Sequence, residues 1–356
     1  MSPTTPVRQG QHRRKARRLS VTARRRIAVV LAGLVVVVLG FALWYELESH
    51  ALGASGKQVV VEVTTGQSAN TVASSLAKEG VIGSSLAFKI SDAIHGSPTI
   101  TAGSYLFHQN LTFGEVRAIL NGGPNVSRVN VEYGLTLAEV AAQVDGLSGH
   151  GGESFTKVAA SGVVHSVFSP PGSNNLEGML GTGFYEVLPG ESDTTLLTDM
   201  VRRFDTQAAA NGLSTASAAA LGLTPYQLIT VASVVEKEGY IVKNMPDVAR
   251  VIYNRLAQNI ALQMDATVLY ALGQDGGPVT SADERVPTPY NTYLNKGLPP
   301  TPICMPQPAA FAAAVHPPAG GWLYFELVKK DGTEAFSDTF AEQLANEALA
   351  RSRGLG

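Results

Sequence analysis

The chain of 356 residues carries 27 Lys and Arg against 29 Asp and Glu, and 45% of its residues are hydrophobic. This length accommodates two modest domains with cores of their own, and the composition excludes a disordered or fibrous chain. The charge is uneven, because residues 1–26 hold nine Lys or Arg and no acidic residue. A basic tail can bind nucleic acid, but the segment that follows it indicates a different role.

An uncharged apolar run follows the basic tail. Residues 27–45 contain no charged side chain and end in Trp44-Tyr45. As a helix, these 19 residues would be roughly 28 Å long, which is enough to cross a bilayer core. The basic tail before the run predicts a cytoplasmic N-terminus, with the rest of the chain outside the cell membrane. A cleaved signal peptide is the alternative, but its apolar part is usually shorter.

The exported part begins with a short linker at residues 46–56 and a small α/β module at residues 57–127. We predict strands at 57–63 and 103–108, and helices at 70–78, 85–94 and 111–120. Asn70 is the predicted N-cap of the first helix, while Thr112 and Glu115 form a capping box for the third. The turn at residues 121–124, Asn-Gly-Gly-Pro, is typical of a domain boundary. The single cysteine, Cys304, leaves this exported part without an internal disulfide.

Residues 128–356 form the predicted main domain. Here we expect a strand at 126–133, helices at 136–144, 248–256 and 311–315, a hairpin joining 322–328 to 334–337, and a last helix capped by Thr339 and Glu342. Asp247 is the predicted N-cap of the helix at 248–256. Five prolines between 299 and 308 predict a surface loop without regular secondary structure.

The helix from Pro225 to Glu238 is the feature around which this domain is organised. Thr224 is suited to its N-cap, Pro225 to its first position, and Gly239 to its end. The segment is apolar on most sides, so Glu236 lies in the last turn of a buried helix. Burial and the negative end of the helix dipole both raise the pKa of a carboxyl there, as a general acid requires. A solvated helix end is the alternative interpretation.

Several catalytic and metal-binding motifs are absent from the sequence. It contains no Gly-x-Ser-x-Gly, His-Glu-x-x-His or phosphate-loop motif and no paired cysteines, so we predict no metal and no cofactor. Downstream of Glu236 lies instead a concentration of amide, tyrosine and carboxylate side chains, which are suited to binding sugars. The candidate substrate-binding residues are Glu238, Asn254, Gln263, Asp265, Tyr290, Asn291 and Tyr293.

Five short motifs occur in order within residues 231–300: VASVVEKE, VARVIYNRL, LQxDxTVxY, YNTY and GLPP. Together with Asn175-Leu176-Glu177-Gly178, they resemble the MltG/YceG-like endolytic murein transglycosylases. The resemblance implies an α+β catalytic domain preceded by a membrane anchor and a LysM-like module. It also identifies Glu236 with the catalytic glutamate of the family.

The implied reaction is cleavage of the MurNAc–GlcNAc β-1,4 bond of nascent peptidoglycan strands without water. The acid protonates the leaving oxygen, and the C6 hydroxyl of MurNAc closes onto C1 as a 1,6-anhydro ring. One carboxyl then suffices, whereas most glycoside hydrolases need two. The implied partners are glycan strands, the membrane, and peptidoglycan synthases or division proteins; none is a nucleic acid.

The sequence departs from the family pattern at Thr301, Met305, Glu334 and Gln343. Two alternatives therefore stay open. One is a weakly active or inactive glycan-binding scaffold of the cell-wall synthesis machinery. The other is a hydrolytic muramidase, which would use Asp265 or Glu238 as a second carboxylate to activate water.

Overall fold

A single long helix dominates the N-terminal part of the computed structural model, which describes residues 21–50 and 53–355. Helix α1 spans Val21–Ser49 and exposes its apolar side chains. By length and composition it is the one helix among the described residues that could cross a membrane. It contains the predicted span at 27–45 and also the first residues of the predicted linker, which are therefore helical. The basic tail up to residue 20, together with residues 51 and 52, lies outside the described residues.

The small domain ends at Pro124, where the chain divides into two compact units. Its elements are β1 (Gln58–Val63), α2 (Ala69–Lys78), α3 (Ser85–His95), β2 (Gly103–His108) and α4 (Phe113–Gly122). Strands β1 and β2 pair antiparallel, with Val60 opposite Leu106. The predicted capping box of Thr112 and Glu115 is confirmed. The predicted Asn70 cap is wrong, because the Ser68 side chain accepts the hydrogen bond from the Thr71 backbone N–H at 3.2 Å.

The large domain begins at Asn125 and is mostly helical. Its elements are β3 (Ser127–Val131), α5 (Leu137–Asp145), α6 (Gly152–Ala160), β4 (Gly183–Val187), α7 (Asp193–Ala210), α8 (Thr215–Ala220), α9 (Pro225–Glu238), α10 (Met245–Ala257), α11 (Asp265–Ala271), α12 (Pro308–Val315), β5 (Tyr324–Leu327), β6 (Glu334–Ser337) and α13 (Phe340–Ser352). β3 pairs antiparallel with β4, and β5 with β6. The described chain is thus a mixed α+β fold whose sheets each have two strands.

Helix α9 lies at the centre of the large domain. Nine of its residues, from Tyr226 to Val235, are buried, and it packs against α8, α10, α11 and α12. The predicted bounds are confirmed: Thr224 forms a capping box with Gln227, and the helix ends before Gly239. Gly239 allows the close approach of Met245, since a Cβ there would lie 2.7 Å from Cγ of Met245. Helix α10 starts at Met245, so Asp247 lies in its first turn and is not the predicted N-cap.

The proline-rich segment before α12 is buried, and the predicted surface loop is wrong. Residues 302–306 pack against α9, where the Ile303 backbone N–H donates to Oγ of Ser233 at 3.0 Å. The Cys304 thiol donates to the Ser233 carbonyl at 3.3 Å. Pro308 is the first residue of α12, a position where its missing N–H leaves no hydrogen bond unmade. Prolines excluded regular structure here but not burial.

Candidate active site

The last turn of α9 presents Glu236, Lys237 and Glu238 in different directions. Both carboxylate oxygens of Glu236 accept hydrogen bonds from Gln307: the backbone N–H at 2.9 Å and the side-chain Nε2 at 3.0 Å. Burial raises the pKa of Glu236, while these two hydrogen bonds and the nearby Lys237 oppose the rise. Glu236 therefore binds the segment that leads into α12.

Glu238 points into a cavity of about 710 Å³, called here the main cavity, whose walls come from α5, α9, α11 and the segments around Glu177 and Tyr290. One Glu238 oxygen accepts from the Ala266 backbone N–H at 2.9 Å, at the N-terminal end of α11. Burial, together with the negative charge of Asp265, raises the pKa of this carboxyl to about 8, while the hydrogen bond from Ala266 opposes the rise. A carboxyl in this state still carries its proton at neutral pH, as a general acid must.

Another wall of the main cavity is built on Glu177, which is only 5% exposed. Its carboxylate accepts from the Leu137 backbone N–H at 2.9 Å and from the Tyr270 hydroxyl at 3.0 Å. The Tyr270 and Tyr290 rings lie 4.9 Å apart, and the Tyr290 hydroxyl bonds Oγ1 of Thr301 at 2.9 Å. Two fixed aromatic rings thus line the cavity.

A glycine-rich segment closes another side of the main cavity. Gly273, Gly276 and Gly277 all have positive φ, and the segment is tied to α9 by Lys237, whose Nζ lies 2.6 Å from Oδ1 of Asp275. Lys237 is the one basic side chain among the lining residues, against the carboxyls of Glu139, Glu177, Glu238, Asp265 and Asp275. The main cavity is therefore predominantly acidic.

Of the predicted site residues, Glu238, Asp265 and Tyr290 line the main cavity. Asp265 also accepts a hydrogen bond from the Tyr293 hydroxyl, so Tyr293 contacts the site through Asp265. These four side chains are brought together by α9, α11 and the segment before Gly297.

The remaining predicted residues serve the framework. Asn254 donates to the carbonyls of Gly320 and Trp322, at 3.1 and 2.8 Å, and so ties α10 to the segment before β5. Gln263 accepts from Arg255 at 3.1 Å. Asn291 is fully buried and donates to the carbonyls of Glu284 and Val286. None of these three is among the residues that line the main cavity.

Sequence reasoning missed Glu177, Tyr270 and Lys237 as lining residues, although each lies within a quoted motif. Glu177 had a detectable signal, since it is a carboxylate flanked by Leu176, Met179 and Leu180. A charged residue in an apolar run is seldom buried without a specific polar partner. Nothing in the local sequence indicated that its partner is Tyr270.

The fold and the main cavity define a class: an α+β protein with an acidic, tyrosine-lined cavity suited to proton transfer on a polar, ring-containing substrate. The chain belongs to the YceG-like family, whose model matches residues 61–348. This match extends over both the small and the large domain.

Relatives with assigned names are similar over most of this chain. An endolytic murein transglycosylase of Bacillus subtilis is 29% identical over 300 residues, which cover 80% of this chain and 82% of the relative. An endolytic murein transglycosylase of Streptococcus pneumoniae is 26% identical over 325 residues, and the match covers 58% of that longer protein. The crystal structure of a yceG-like protein from Listeria monocytogenes superposes with a TM-score of 0.57 at 25% identity, covering 81% of this chain and 98% of that one.

Proposed function

We propose that this protein is an endolytic murein transglycosylase, which cleaves the MurNAc–GlcNAc β-1,4 bond of peptidoglycan strands and leaves 1,6-anhydro-MurNAc ends. Membership of the YceG-like family and the names of its relatives support the reaction class. The observation that carries the proposal is the Glu238 carboxyl, whose pKa is raised to about 8 at the wall of the main cavity.

We assign the acid/base role to Glu238 in preference to the sequence-based candidate, Glu236. Glu236 does not line the main cavity, and both of its oxygens are bonded to Gln307. Glu238 lines the cavity and accepts one backbone N–H bond, from Ala266. That bond stabilises the anion formed when the proton leaves, while burial favours the protonated form, so the carboxyl can both give and retake a proton.

The reaction needs only one such group. Glu238 donates its proton to the O4 leaving oxygen as the C1–O4 bond breaks, and positive charge develops at C1. The Glu238 carboxylate then accepts the proton of the MurNAc C6 hydroxyl as O6 bonds to C1. The net reaction consumes no water, and Glu238 ends in its starting state. Holding the C6 hydroxyl close to C1 makes the ring closure effectively unimolecular.

The other cavity residues have supporting roles in this proposal. The Asp265 carboxylate, oriented by Tyr293, stabilises the positive charge that develops at C1. The paired rings of Tyr270 and Tyr290 offer flat faces to sugar rings, and Glu177 fixes Tyr270 in place. These groups position the substrate, while Glu238 moves the proton.

The proposal also includes a location at the cell membrane. Helix α1 is long and apolar enough to anchor the chain, and the nine basic residues before its uncharged run at residues 27–45 favour a cytoplasmic N-terminus and an extracytoplasmic catalytic domain. The β-α-α-β order of the small domain supports a LysM-like, glycan-binding module. In this position the enzyme would cut nascent strands beside peptidoglycan synthases or division proteins, and so limit glycan elongation.

The test uses the full-length protein in detergent with uncrosslinked glycan strands, and mass spectrometry of the fragments. The wild type should produce anhydro-MurNAc ends, and Glu238→Gln should produce none. Reducing ends would contradict the proposal in favour of a water-using muramidase. Strand binding without cleavage by the wild type would contradict it in favour of a scaffold.

A further inference from the structure

Two further cavities lie along the β3–β4 ribbon. One, of about 340 Å³, lies between residues 130–133 and residues 182–183. The other, of about 800 Å³, lies between β4 and α7 and is lined by Arg128, Phe184 and Arg203 among others. A Cβ at Gly183, which lines the first cavity, would lie 2.8 Å from Nη1 of Arg203, which lines the second, so the two cavities have neighbouring walls. We call them together the ribbon groove.

Two aromatic side chains stand exposed along the ribbon groove. The ribbon alternates as expected, with Val129, Val131 and Tyr185 buried on its inner face. On the outer face, Phe184 is opposite Asn130 and is 69% exposed. Tyr133, beyond the end of β3, is 49% exposed. A phenylalanine so exposed adds little to folding, because its apolar surface stays in water. Together with Asn130, these rings form the aromatic and amide surface that a sugar polymer requires.

Residues that line the ribbon groove are close in sequence to residues that line the main cavity. Tyr133 lines the groove, Gly134 follows it, and Thr136 lines the main cavity. A Cβ at Gly134 would lie 3.7 Å from Nζ of Lys237, which also lines the main cavity. The ribbon itself is about 17 Å long at 3.4 Å per residue, so a strand lying along it would extend beyond the main cavity.

The charge of the groove changes sign with distance from the main cavity. The far part has three arginines against Glu186 and Asp199. Arg128 pairs with Glu186 at 3.1 Å and Arg202 with Asp199 at 2.6 Å. Arg203 instead donates to the Phe184 carbonyl at 3.0 Å and lies 4.1 Å from the Tyr185 ring centroid. Neither contact neutralises its charge, which could pair with an anionic group of a ligand, such as a carboxylate of a peptide attached to the glycan.

We propose that the ribbon groove is an extended binding site for the glycan strand, in which Phe184 and Tyr133 stack on sugar rings and Arg203 pairs with a stem-peptide carboxylate. The proposal rests on the proposed function, and it explains how an enzyme of this kind could favour cutting within a strand over cutting at its end. A strand held on the ribbon must continue through the main cavity, so the cleaved bond lies away from the strand end.

The test compares the full-length protein and Phe184→Ser, Tyr133→Ser and the double variant on two substrates. One is a muramyl oligosaccharide short enough to occupy the main cavity alone, and the other is long, uncrosslinked, peptide-bearing strands. The ratio of kcat/KM for long strands to that for the short substrate should fall about fivefold to tenfold in each single variant and further in the double variant. The change should lie mainly in KM, since one aromatic stacking contact is worth about that factor. Val163→Ser is the matched control, because Val163 is 69% exposed and lines neither cavity.

An unchanged ratio in the double variant would overturn the proposal, and the exposed rings would then be better explained by contact with another protein. If the wild type cleaves neither substrate, the proposed function fails, but the groove can still be tested by strand binding. In the Glu238→Gln background, long-strand affinity should drop about fivefold to tenfold on adding either Phe184→Ser or Tyr133→Ser, and further on adding both. Equal affinity there would overturn the groove on its own.

Discussion

Glu236 and Glu238 lie two residues apart at the end of one helix, yet they have different surroundings. Positions two apart on an α-helix point in nearly opposite directions, because each residue turns the chain by about 100°. Glu236 faces the segment before α12, where Gln307 bonds both of its oxygens. Glu238 faces the main cavity and accepts a backbone hydrogen bond from Ala266.

This difference teaches that a raised pKa alone does not identify a catalytic acid. Burial raises the pKa of both carboxyls. What separates them is access, since only a group at the cavity wall can reach a substrate atom. Two hydrogen bonds from Gln307 fix Glu236 in place. Through them, Glu236 holds the buried proline-rich segment against α9.

The largest expected effect is a difference in activity between Glu238→Gln and Glu236→Gln, in which each glutamate is replaced by the isosteric glutamine. Glu238→Gln should reduce kcat about 10³-fold or more, because an amide cannot donate the proton that the leaving oxygen needs. Glu236→Gln should stay within about tenfold of the wild type, since the amide can still accept from the Gln307 backbone N–H. The measurement is single-turnover cleavage of uncrosslinked strands.

Equal thermal stability of the two variants would show that the difference is chemical. If Glu236→Gln is the inactive variant and Glu238→Gln cleaves normally, the assignment made here is reversed and the sequence-based choice of Glu236 stands.

A second, smaller effect concerns the contact that holds Glu236. Gln307→Ala removes the Nε2 donor from a partly buried carboxylate and should lower the free energy of unfolding by about 2 kcal/mol, the usual range for a hydrogen bond to a charged group. Equilibrium denaturation of the full-length protein measures it. Gln143→Ala is the matched control, as Gln143 is exposed on α5. A loss as small as that of the control would mean that Gln307 does not stabilise the segment.

Much of this architecture could be predicted from local sequence. Thr224-Pro225 and Gly239 gave the bounds of α9, and the capping boxes at Thr112 and Thr339 were read from residues three positions apart. These features depend on neighbours within one helical turn. They are therefore visible without knowledge of the fold.

The side chains at the main cavity and at the end of α9 depend on contacts between distant segments. Gln307 reaches Glu236 and Tyr270 reaches Glu177 across gaps of 71 and 93 residues. The motif Glu-Lys-Glu offered two carboxyls, and choosing between them required the position of the segment that covers one of them. The burial of residues 302–306 was not predictable for a similar reason. Prolines limit the backbone conformation but do not determine whether a segment is exposed.

The smallest expected effect is on the pH at which activity is lost. Glu238 must start protonated, so kcat should fall as pH rises through about 8. The negative charge of Asp265 raises the pKa of Glu238, so Asp265→Asn should move this midpoint to lower pH by less than about one unit. The readout is the midpoint of the pH profile, which does not depend on how far Asp265→Asn also reduces the rate.

The free energy of unfolding should also depend on the protonation of Glu238. Because the folded protein keeps the Glu238 proton that the unfolded chain releases near pH 4.5, this group contributes stability at low pH. That contribution declines as pH rises from about 4.5 and is lost above about 8, and Glu238→Gln should remove this part of the pH dependence.

For the activity profile, a midpoint unmoved by Asp265→Asn, or moved to higher pH, would mean that the Asp265 charge does not act on Glu238. A profile in Glu236→Gln that shifts instead would assign the titrating proton to Glu236.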